Sequence, residues 1–401
     1  MKKVFVYSIL LLIGLIISQF MTELAGDSYD TVYEVLRLLT VFCLGFIMIH
    51  VGYEFEIDRN NLKSYAVDYG VAATAAAFPW LFVAGYFVFV MSSSSAWGSF
   101  DTWKEALLAG RFAAPTSAGI LFSMLAAAGL SITWVFRKLR ILAIFDDLDT
   151  VLLMIPLKMM MVGFKWQLGV IVIIMVVFLW FAWRYMHLWK IPISWPWVMA
   201  YSFILTAIIE IIYLGSKMFD EVVTIHIEIL LPAFVLGAMI ARPPGSDPHS
   251  DDARNGHQEG PESPEEQKVS TYVSGAFMVL VGLSMPSLAK ALGSQAGADM
   301  TASTIAIHVL IVTVLANLGK MFPVFMYRRE ATFKERLAIC IGMWPRGEVG
   351  AGVLVVSLSY GIGGPMIAVA MLSLALNLFL TGVFILVVKR LLADVKVLDH
   401  S

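Results

Sequence analysis

The stretch ILAIFDDLDTVLLMIP, residues 141–156, places three carboxylates inside a segment that is otherwise apolar. They belong to Asp146, Asp147 and Asp149. In a membrane, an ionised side chain at mid-helix costs at least about 2.5 to 3.5 kcal/mol on insertion scales, so it needs an opposite charge, a water-filled cavity or a function. If the chain spans a membrane, these aspartates mark the place where a functional site is expected.

Composition identifies the chain as an integral membrane protein. Of its 401 residues, 59% are hydrophobic and 14% are charged, whereas about a quarter of the residues in soluble domains are charged. The formal net charge of -2 lacks the basic excess that a nucleic-acid partner requires. The cysteines, Cys43 and Cys340, both lie in apolar runs, which argues against a disulfide framework or a CxxC metal site.

The chain contains twelve apolar runs that are long enough to cross a bilayer, at about 20 residues each. They predict an all-α polytopic membrane protein. The N-terminal run is interpreted as the first span, because no small-residue cleavage site follows it. The runs fall near 3–20, 35–53, 64–91, 103–129, 133–162, 166–187, 195–215, 222–241, 269–291, 302–327, 333–358 and 363–389.

Lysine and arginine are distributed unevenly between the two sides of these spans. Roughly nineteen of them collect on the side of the N-terminus and four on the other side. Because cytoplasmic segments carry the excess of Lys and Arg, this imbalance predicts that both termini are cytoplasmic, and it supports an even number of spans.

The fifth and tenth spans carry opposite charges at matching depth. Asp146 and Lys320 each lie about 9 to 12 Å from the cytoplasmic ends of their helices, so the two can meet. Asp147 is rotated about 100° from Asp146 and can face a neighbouring cavity, while Asp149 shares the face of Asp146 nearer the outside. A purely structural interpretation stays open, in which these charges cap or tie helices. Further ionisable residues at membrane depth are Arg111, Glu210, Glu228, Arg346 and Glu348.

Two spans carry helix-breaking residues at their centres. GRFAAPTSAGILF, residues 110–122, contains Pro115, and GMWPRGEVGAGVL, residues 342–354, contains Pro345 and several glycines. Breaks of this kind expose carbonyls and amides that can coordinate ions at membrane depth. One break precedes the aspartates and the other follows Lys320, and this mirrored order predicts an inverted repeat with a site at its centre.

Taken together, these motifs resemble those of the monovalent cation/proton antiporter superfamily, in particular its electrogenic Na⁺/H⁺ members. FDDLDTVLL resembles the paired-aspartate motif of the fifth helix, NLGKMFP the lysine motif of the tenth, MWPRGEVGAG the Pro-Arg-Gly-Glu stretch of the eleventh, and APTSAGIL the polar break of the fourth. The resemblance covers about residues 60–390. It implies inverted repeats with two crossing broken helices, a homodimer in a lipid bilayer, and an elevator-like motion of a core against a scaffold.

The resemblance also implies an ion site built on two carboxylates. Asp147 would be the carboxylate that the cation and the proton share, and Asp146 would pair with Lys320. Asp149 departs from the family pattern, which commonly has an uncharged residue there. It would be either an added group on the ion path or the partner of a basic residue.

The remaining site residues come from the two broken helices. Thr116 and Ser117, with nearby carbonyls, would complete the cation shell, and Arg346 with Glu348 would stabilise the core. The implied function is exchange of a monovalent cation for protons, with Na⁺ the first candidate and Li⁺ or K⁺ as alternatives. No cofactor is expected, and the membrane is expected to be a prokaryotic inner (plasma) membrane.

The same resemblance predicts how the chain is divided. The segments are the first scaffold helices (1–62), core repeat one (63–163), scaffold helices 6 to 8 (164–241), a flexible cytoplasmic loop (242–268), scaffold helix 9 (269–291), core repeat two (292–391) and a cytoplasmic tail (392–401). The loop is assigned from its Pro, Gly and acidic residues, which cannot bury enough apolar surface to fold.

Two functions from other classes stay as alternatives. A cation channel, or an ion-sensing protein on a transporter scaffold, would need a pore lined by repeated carbonyl or charge rings, which the sequence does not show. An intramembrane aspartyl protease would need a second aspartate in a GxGD context on a separate helix, and no GxGD occurs. Exchange is therefore the preferred interpretation, and the protein is expected not to be an enzyme.

Overall fold

The computed structural model describes residues 2–55, 62–131, 133–163, 165–219, 227–241, 264–285, 301–359, 362 and 364–393. Within these ranges the chain forms α-helices and contains no β-strand. The helices are α1 (Lys2–Ala25), α2 (Tyr29–Tyr53), α3 (Leu62–Tyr86), α4 (Phe100–Gly110), α5 (Ala118–Ala127), α6 (Trp134–Val162), α7 (Trp166–Tyr185), α8 (Trp195–Lys217), α9 (Leu230–Met239), α10 (Pro264–Leu283), α11 (Ala302–Gly319), α12 (Phe333–Gly342), α13 (Glu348–Ser359) and α14 (Pro365–Leu392).

These helices confirm the predicted all-α membrane fold with two broken spans. The predicted fourth span is divided into α4 and α5, and the predicted eleventh into α12 and α13, so the helices correspond to the predicted twelve spans. Among the described residues, seven helical segments have the length and hydropathy of a membrane crossing. They are Lys2–Met21, Tyr29–Tyr53, Lys63–Met91, Trp166–Tyr185, Trp195–Lys217, Ser303–Phe325 and Pro365–Leu392.

The predicted tenth span, 302–327, is confirmed by the helical segment Ser303–Phe325, although its α-helical part α11 ends at Gly319 and Lys320 is the C-cap of that helix. Two other predicted boundaries were wrong. The loop predicted over 242–268 ends earlier, since α10 begins at Pro264. Proline is favoured at the first position of a helix, and the acidic residues that follow it, Glu265 and Glu266, are favoured near a helix N-terminus. Its remainder, 242–263, lies outside the described residues.

The eighth span is also shorter than predicted within the described residues. It was predicted over 222–241, but α9 comprises Leu230–Met239, and Glu228 precedes the helix instead of lying within it. Residues 220–226 lie outside the described residues. Proline at Pro232, in the first turn of α9, is compatible with a helix start close to this point.

The chain divides into two compact units. Unit 1 comprises residues 1–36, 61–161 and 278–401, and unit 2 comprises residues 37–60 and 162–277. Unit 1 therefore contains both broken spans. In each half of unit 1 a broken span lies between two continuous helices: α3 and α6 flank the first, and α11 and α14 flank the second.

Unit 1 is built on close backbone contact between α3 and α11. Gly319, the last residue of α11, lies against the backbone of Pro79, and a Cβ atom added at this glycine would overlap Pro79. The indole of Trp80, the next residue of α3, donates to the carbonyl of Leu107 on α4 at 2.7 Å. These contacts fix the height at which α11 ends and hence the position of Lys320.

Unit 2 contains an ion pair that sequence inspection missed. Arg37 of α2 donates to both carboxylate oxygens of Glu210 on α8, each at 2.8 Å. Both side chains are partly exposed, at 28% and 20%. Glu210 was predicted to lie at membrane depth, but Arg37 was counted neither with the membrane charges nor with the loop cations.

Candidate functional site

The first break lies between α4 and α5 in unit 1. After Gly110 the chain forms a short 3-10 turn over Arg111–Ala113, and the non-helical residues that follow include Pro115, which cannot donate a backbone hydrogen bond. Ser117 then caps α5, its hydroxyl accepting from the amide of Ile120 at 3.4 Å. The break exposes the carbonyls of Ala113 and Ala114, which a continuous helix would have used internally.

The second break meets the first one directly. The amide of Ser117 donates to the carbonyl of Pro345 at 2.9 Å, and the hydroxyl of Thr116 donates to the carbonyl of Met343 at 3.1 Å. Both acceptors belong to the non-helical segment between α12 and α13. The two broken spans therefore cross at their breaks.

Asp146 and Lys320 form a fully buried ion pair at this crossing. The ammonium lies 2.9 Å and 3.0 Å from the two oxygens of Asp146, and both residues are 0% exposed. Lys320 also donates to the carbonyl of Ala114 at 2.6 Å and to the hydroxyl of Thr116 at 3.0 Å. The amide of Thr116 donates to Asp146 at 2.8 Å. An ammonium has three N–H donors, so Lys320 is saturated by acceptors from α6 and the first break.

Asp147 lies beside this pair on α6. Its residue is buried, at 8% exposed, and it interacts electrostatically with Lys320, whereas the hydrogen bonds of Lys320 go to Asp146, Ala114 and Thr116. The structure thus gives the adjacent carboxylates different surroundings: Asp146 accepts from the ammonium of Lys320 and from the amide of Thr116, and Asp147 interacts electrostatically with that ammonium.

Arg346 holds both breaks together. Its guanidinium donates to the carbonyl of Ala113 at 3.0 Å, to that of Trp344 at 3.0 Å and to that of Ala316 at 2.7 Å. It donates further to the side-chain oxygen of Asn317 at 2.7 Å. Arg346 is buried, at 1% exposed, and its N–H groups are satisfied by neutral oxygens. The side chain of Glu348, its predicted partner, is not among those the structure describes.

Two asparagines that sequence inspection missed complete this network. The amide nitrogen of Asn377 on α14 donates to Asn317 on α11 at 3.2 Å, and its oxygen accepts from the backbone N–H of Arg346 at 3.0 Å. Both asparagines are buried. The signal was present in the sequence, since uncharged amides are as conspicuous as charges inside apolar spans.

Asp149 lies three residues beyond Asp146 towards the C-terminal end of α6, with Tyr69 and Arg111 as neighbours. It hydrogen-bonds Tyr69 of α3 and interacts electrostatically with Arg111. Arg111 is 0% exposed, donates to the backbone carbonyl of Thr150 and lies 5.1 Å from the ring of Trp80. Asp149 was predicted to be either an added group on the ion path or the partner of a basic residue. In the structure, Arg111 is the basic residue next to it.

A further buried carboxylate escaped the sequence analysis. Asp68 of α3 accepts from Lys138 of α6 at 3.0 Å and from the hydroxyl of Tyr327 at 2.6 Å. Lys138 also lies 3.4 Å from Glu330. Asp68 falls inside the predicted third span, so a search for every carboxylate within an apolar run would have found it.

The oxygens available for a cation are those of the carboxylates and the breaks. Within the described residues, no three His, Cys, Asp or Glu side chains are grouped so that they could hold a metal ion. A monovalent cation at this position would therefore draw on Asp147 and Asp146 together with carbonyls or hydroxyls of the two breaks. Hard oxygen ligands of this kind suit alkali cations.

Comparison with known proteins agrees with this architecture. The family model for "Sodium/hydrogen exchanger, transmembrane" matches residues 2–390. A solved structure of the sodium proton antiporter MjNhaP1 from Methanocaldococcus jannaschii at pH 8 superimposes with a TM-score of 0.55 at 16% identity, covering 94% of this chain and 91% of that one. Curated protein sequences gave no significant match. The chain belongs to the sodium/hydrogen exchanger family, and it is a multi-pass membrane transporter for cation/proton exchange rather than an enzyme.

Proposed function

We propose that the chain exchanges one kind of monovalent cation for protons by alternating access, and that each cycle moves net charge. Na⁺ is the first candidate, with Li⁺ and K⁺ as alternatives. The observation that carries the proposal is the buried Lys320–Asp146 pair beside Asp147, at the crossing of two broken helices. Both termini are placed in the cytoplasm, and two copies form a homodimer in a prokaryotic inner membrane.

Competition for one carboxylate couples the two ions. Asp147 binds either a proton or the cation, because one negative charge cannot hold both at full strength. The cation gains ligands from Asp146 and from oxygens of the breaks, among which Thr116 and Ser117 are assigned to its shell. If the empty, charged site cannot cross the membrane while the protonated or loaded site can, transport is obligatory exchange.

Lys320 makes the cycle electrogenic. In the structure its positive charge is balanced by Asp146. When the cation engages Asp146, Lys320 loses that counter-ion and is left with a carbonyl and a hydroxyl as acceptors, an arrangement that cannot hold a full charge in a dry interior. It therefore releases its proton, and each turnover exchanges two protons for one cation.

Proteoliposomes containing the purified protein provide the test. An imposed pH gradient is expected to drive uptake of Na⁺, Li⁺ or K⁺, each tried in turn, and a clamped membrane voltage is expected to change the rate. Asp147→Asn should abolish exchange, while Asp101→Asn, at an exposed carboxylate of α4, should leave it unchanged. Exchange that persists in Asp147→Asn would overturn the assignment of the shared carboxylate.

The same preparation separates exchange from its alternatives. A channel dissipates either gradient alone, whereas an exchanger requires the counter-ion. Voltage-independent exchange by the unmodified protein would remove Lys320 from its proposed role without affecting Asp147. Exchange that stays voltage-dependent in Lys320→Ala would likewise show that Lys320 is not the source of the net charge movement.

A further inference from the structure

Three neighbouring residues of unit 1 contain buried polar atoms that lack hydrogen-bond partners among the residues that the structure describes. They are the Nε and Nη1 atoms of Arg111, the Oδ2 atom of Asp149 and the Oγ1 atom of Thr150. Arg111 is 0% exposed, Asp149 4% and Thr150 5%. We call these three residues the polar cluster.

The polar cluster is held together by contacts that the structure describes. Arg111, in the first break, donates from Nη2 to the backbone carbonyl of Thr150, so its guanidinium lies directly beside α6. It also interacts electrostatically with Asp149 and Asp146. Trp80 of α3 covers one side of the guanidinium, at 5.1 Å. The unsatisfied donors and acceptors therefore share one small region next to the ion pair.

These atoms cannot be dry at equilibrium. A buried polar group without a partner costs about 1 to 3 kcal/mol, and more when it is charged. More than about nine in ten buried polar groups in proteins are therefore bonded, often to ordered water. Arg111 contributes donors, Asp149 an acceptor and Thr150 both, which is the mixture that a bridging water molecule satisfies.

We propose that the polar cluster binds water and forms the part of the aqueous path that leads from Asp146 and Asp147 towards the outer face. Asp149 lies about 4.5 Å further along α6 than Asp146, in the outward direction under the predicted orientation. Its use as a path rests on the proposed exchange function; the binding of water does not. The ligand is water itself, together with the cations and protons that travel through it.

The guanidinium also explains how a carboxylate can line this path without trapping the cation. Alone, Asp149 would attract a passing cation. Arg111 interacts electrostatically with Asp149 and offsets part of that attraction, and such compensation is larger in a low-dielectric interior than in water. The polar cluster is hydrophilic yet close to neutral, which suits a route rather than a binding site.

Thiol accessibility tests the proposal on the full-length protein. In a Cys43→Ala, Cys340→Ala background, Thr150→Cys introduces a thiol into the polar cluster. Ile144→Cys is the matched control, because Ile144 lies on the same helix and is similarly buried, at 6% exposed, but is apolar. Protein in proteoliposomes is exposed to Ag⁺, and the remaining thiol is quantified by mass spectrometry after denaturation.

We expect the thiol introduced by Thr150→Cys to react with Ag⁺ at least about tenfold faster than the control thiol. Equal rates would overturn the proposal. If Thr150→Cys does not fold, the unmodified protein provides the test by X-ray radiolysis of bound water. Radiolysis should oxidise Trp80, which lies next to Arg111. It should not oxidise Phe87, a buried aromatic residue on the π-helical continuation of α3. An unoxidised Trp80 would then overturn it.

Exchange is assayed on proteoliposomes that contain the unmodified protein, so that the two proposals fail separately. Reactive thiol without any cation/proton exchange would overturn the proposed function and support water binding. Exchange with an unreactive thiol would overturn the water-binding cluster alone.

Discussion

Replacing Asp146 by asparagine leaves the ammonium of Lys320 buried without its counter-ion. Both residues are 0% exposed, and Asp146 accepts two of the four hydrogen bonds of the ammonium. Breaking a buried ion pair by removing one partner destabilises proteins by about 3 to 5 kcal/mol, because the remaining charge is uncompensated. We therefore expect Asp146→Asn to lower the stability of the folded protein by this amount.

The expected change in melting temperature follows from the size of the chain. Unfolding entropy of about 2.1 cal/mol/K per residue gives about 0.84 kcal/mol/K for 401 residues. A loss of about 3 to 5 kcal/mol then corresponds to a shift of about 4 to 6 °C. Thermal unfolding of detergent-solubilised protein, followed by intrinsic tryptophan fluorescence, measures it.

A second substitution distinguishes the ion pair from simple loss of packing. Removing both charges, in Asp146→Asn with Lys320→Met, takes away the uncompensated ammonium and should recover most of the lost stability. Asp101→Asn, at an exposed carboxylate, should leave the melting temperature unchanged. The reasoning is refuted if the double variant is less stable than Asp146→Asn, since the two losses would then merely add.

Three further outcomes are expected. Gly319→Ala would force a Cβ atom against the backbone of Pro79 and displace the adjacent Lys320, so the rate of exchange in proteoliposomes should fall at least about tenfold. The control is Gly70→Ala on α3, where an added Cβ meets no atom within 4 Å and full activity is expected. Arg346→Lys replaces a fork of donors by a compact ammonium that cannot reach all four acceptors, and should lower the melting temperature. Because cation binding displaces a proton from Asp147 and, in the proposed cycle, a second one from Lys320, the apparent affinity for the cation should fall as pH falls, by up to about a hundredfold per pH unit, and a pH-independent affinity in flux assays would contradict this.

The residues at the centre of the candidate site stand out in the sequence because they violate the local pattern. Asp146, Asp147 and Lys320 are conspicuous in apolar runs, and helix depth alone predicted that Asp146 and Lys320 could meet. The breaks were predictable for a similar reason, since proline and glycine cannot continue a helix as other residues do. Each of these signals is local, and each depends on a residue type that membrane helices normally exclude.

What sequence inspection missed depends on partners rather than on residue types. Lys138 was one of the roughly nineteen cations counted on the side of the N-terminus, and it is buried against Asp68, which also accepts from the hydroxyl of Tyr327. Asn317 and Asn377 are neutral, so a search for charges passes over them, although together they hold the backbone and the guanidinium of Arg346. Only three-dimensional packing shows which polar groups satisfy one another.

The breaks themselves turn out to serve the protein's own cations. From the sequence, their exposed carbonyls were expected to coordinate a transported ion. In the structure the carbonyl of Ala114 accepts from Lys320, and those of Ala113 and Trp344 accept from Arg346. Under the proposed exchange, a cation that engages Asp146 displaces the ammonium of Lys320 from that carboxylate. Loading of the site and release of the lysine from its counter-ion would then be a single event.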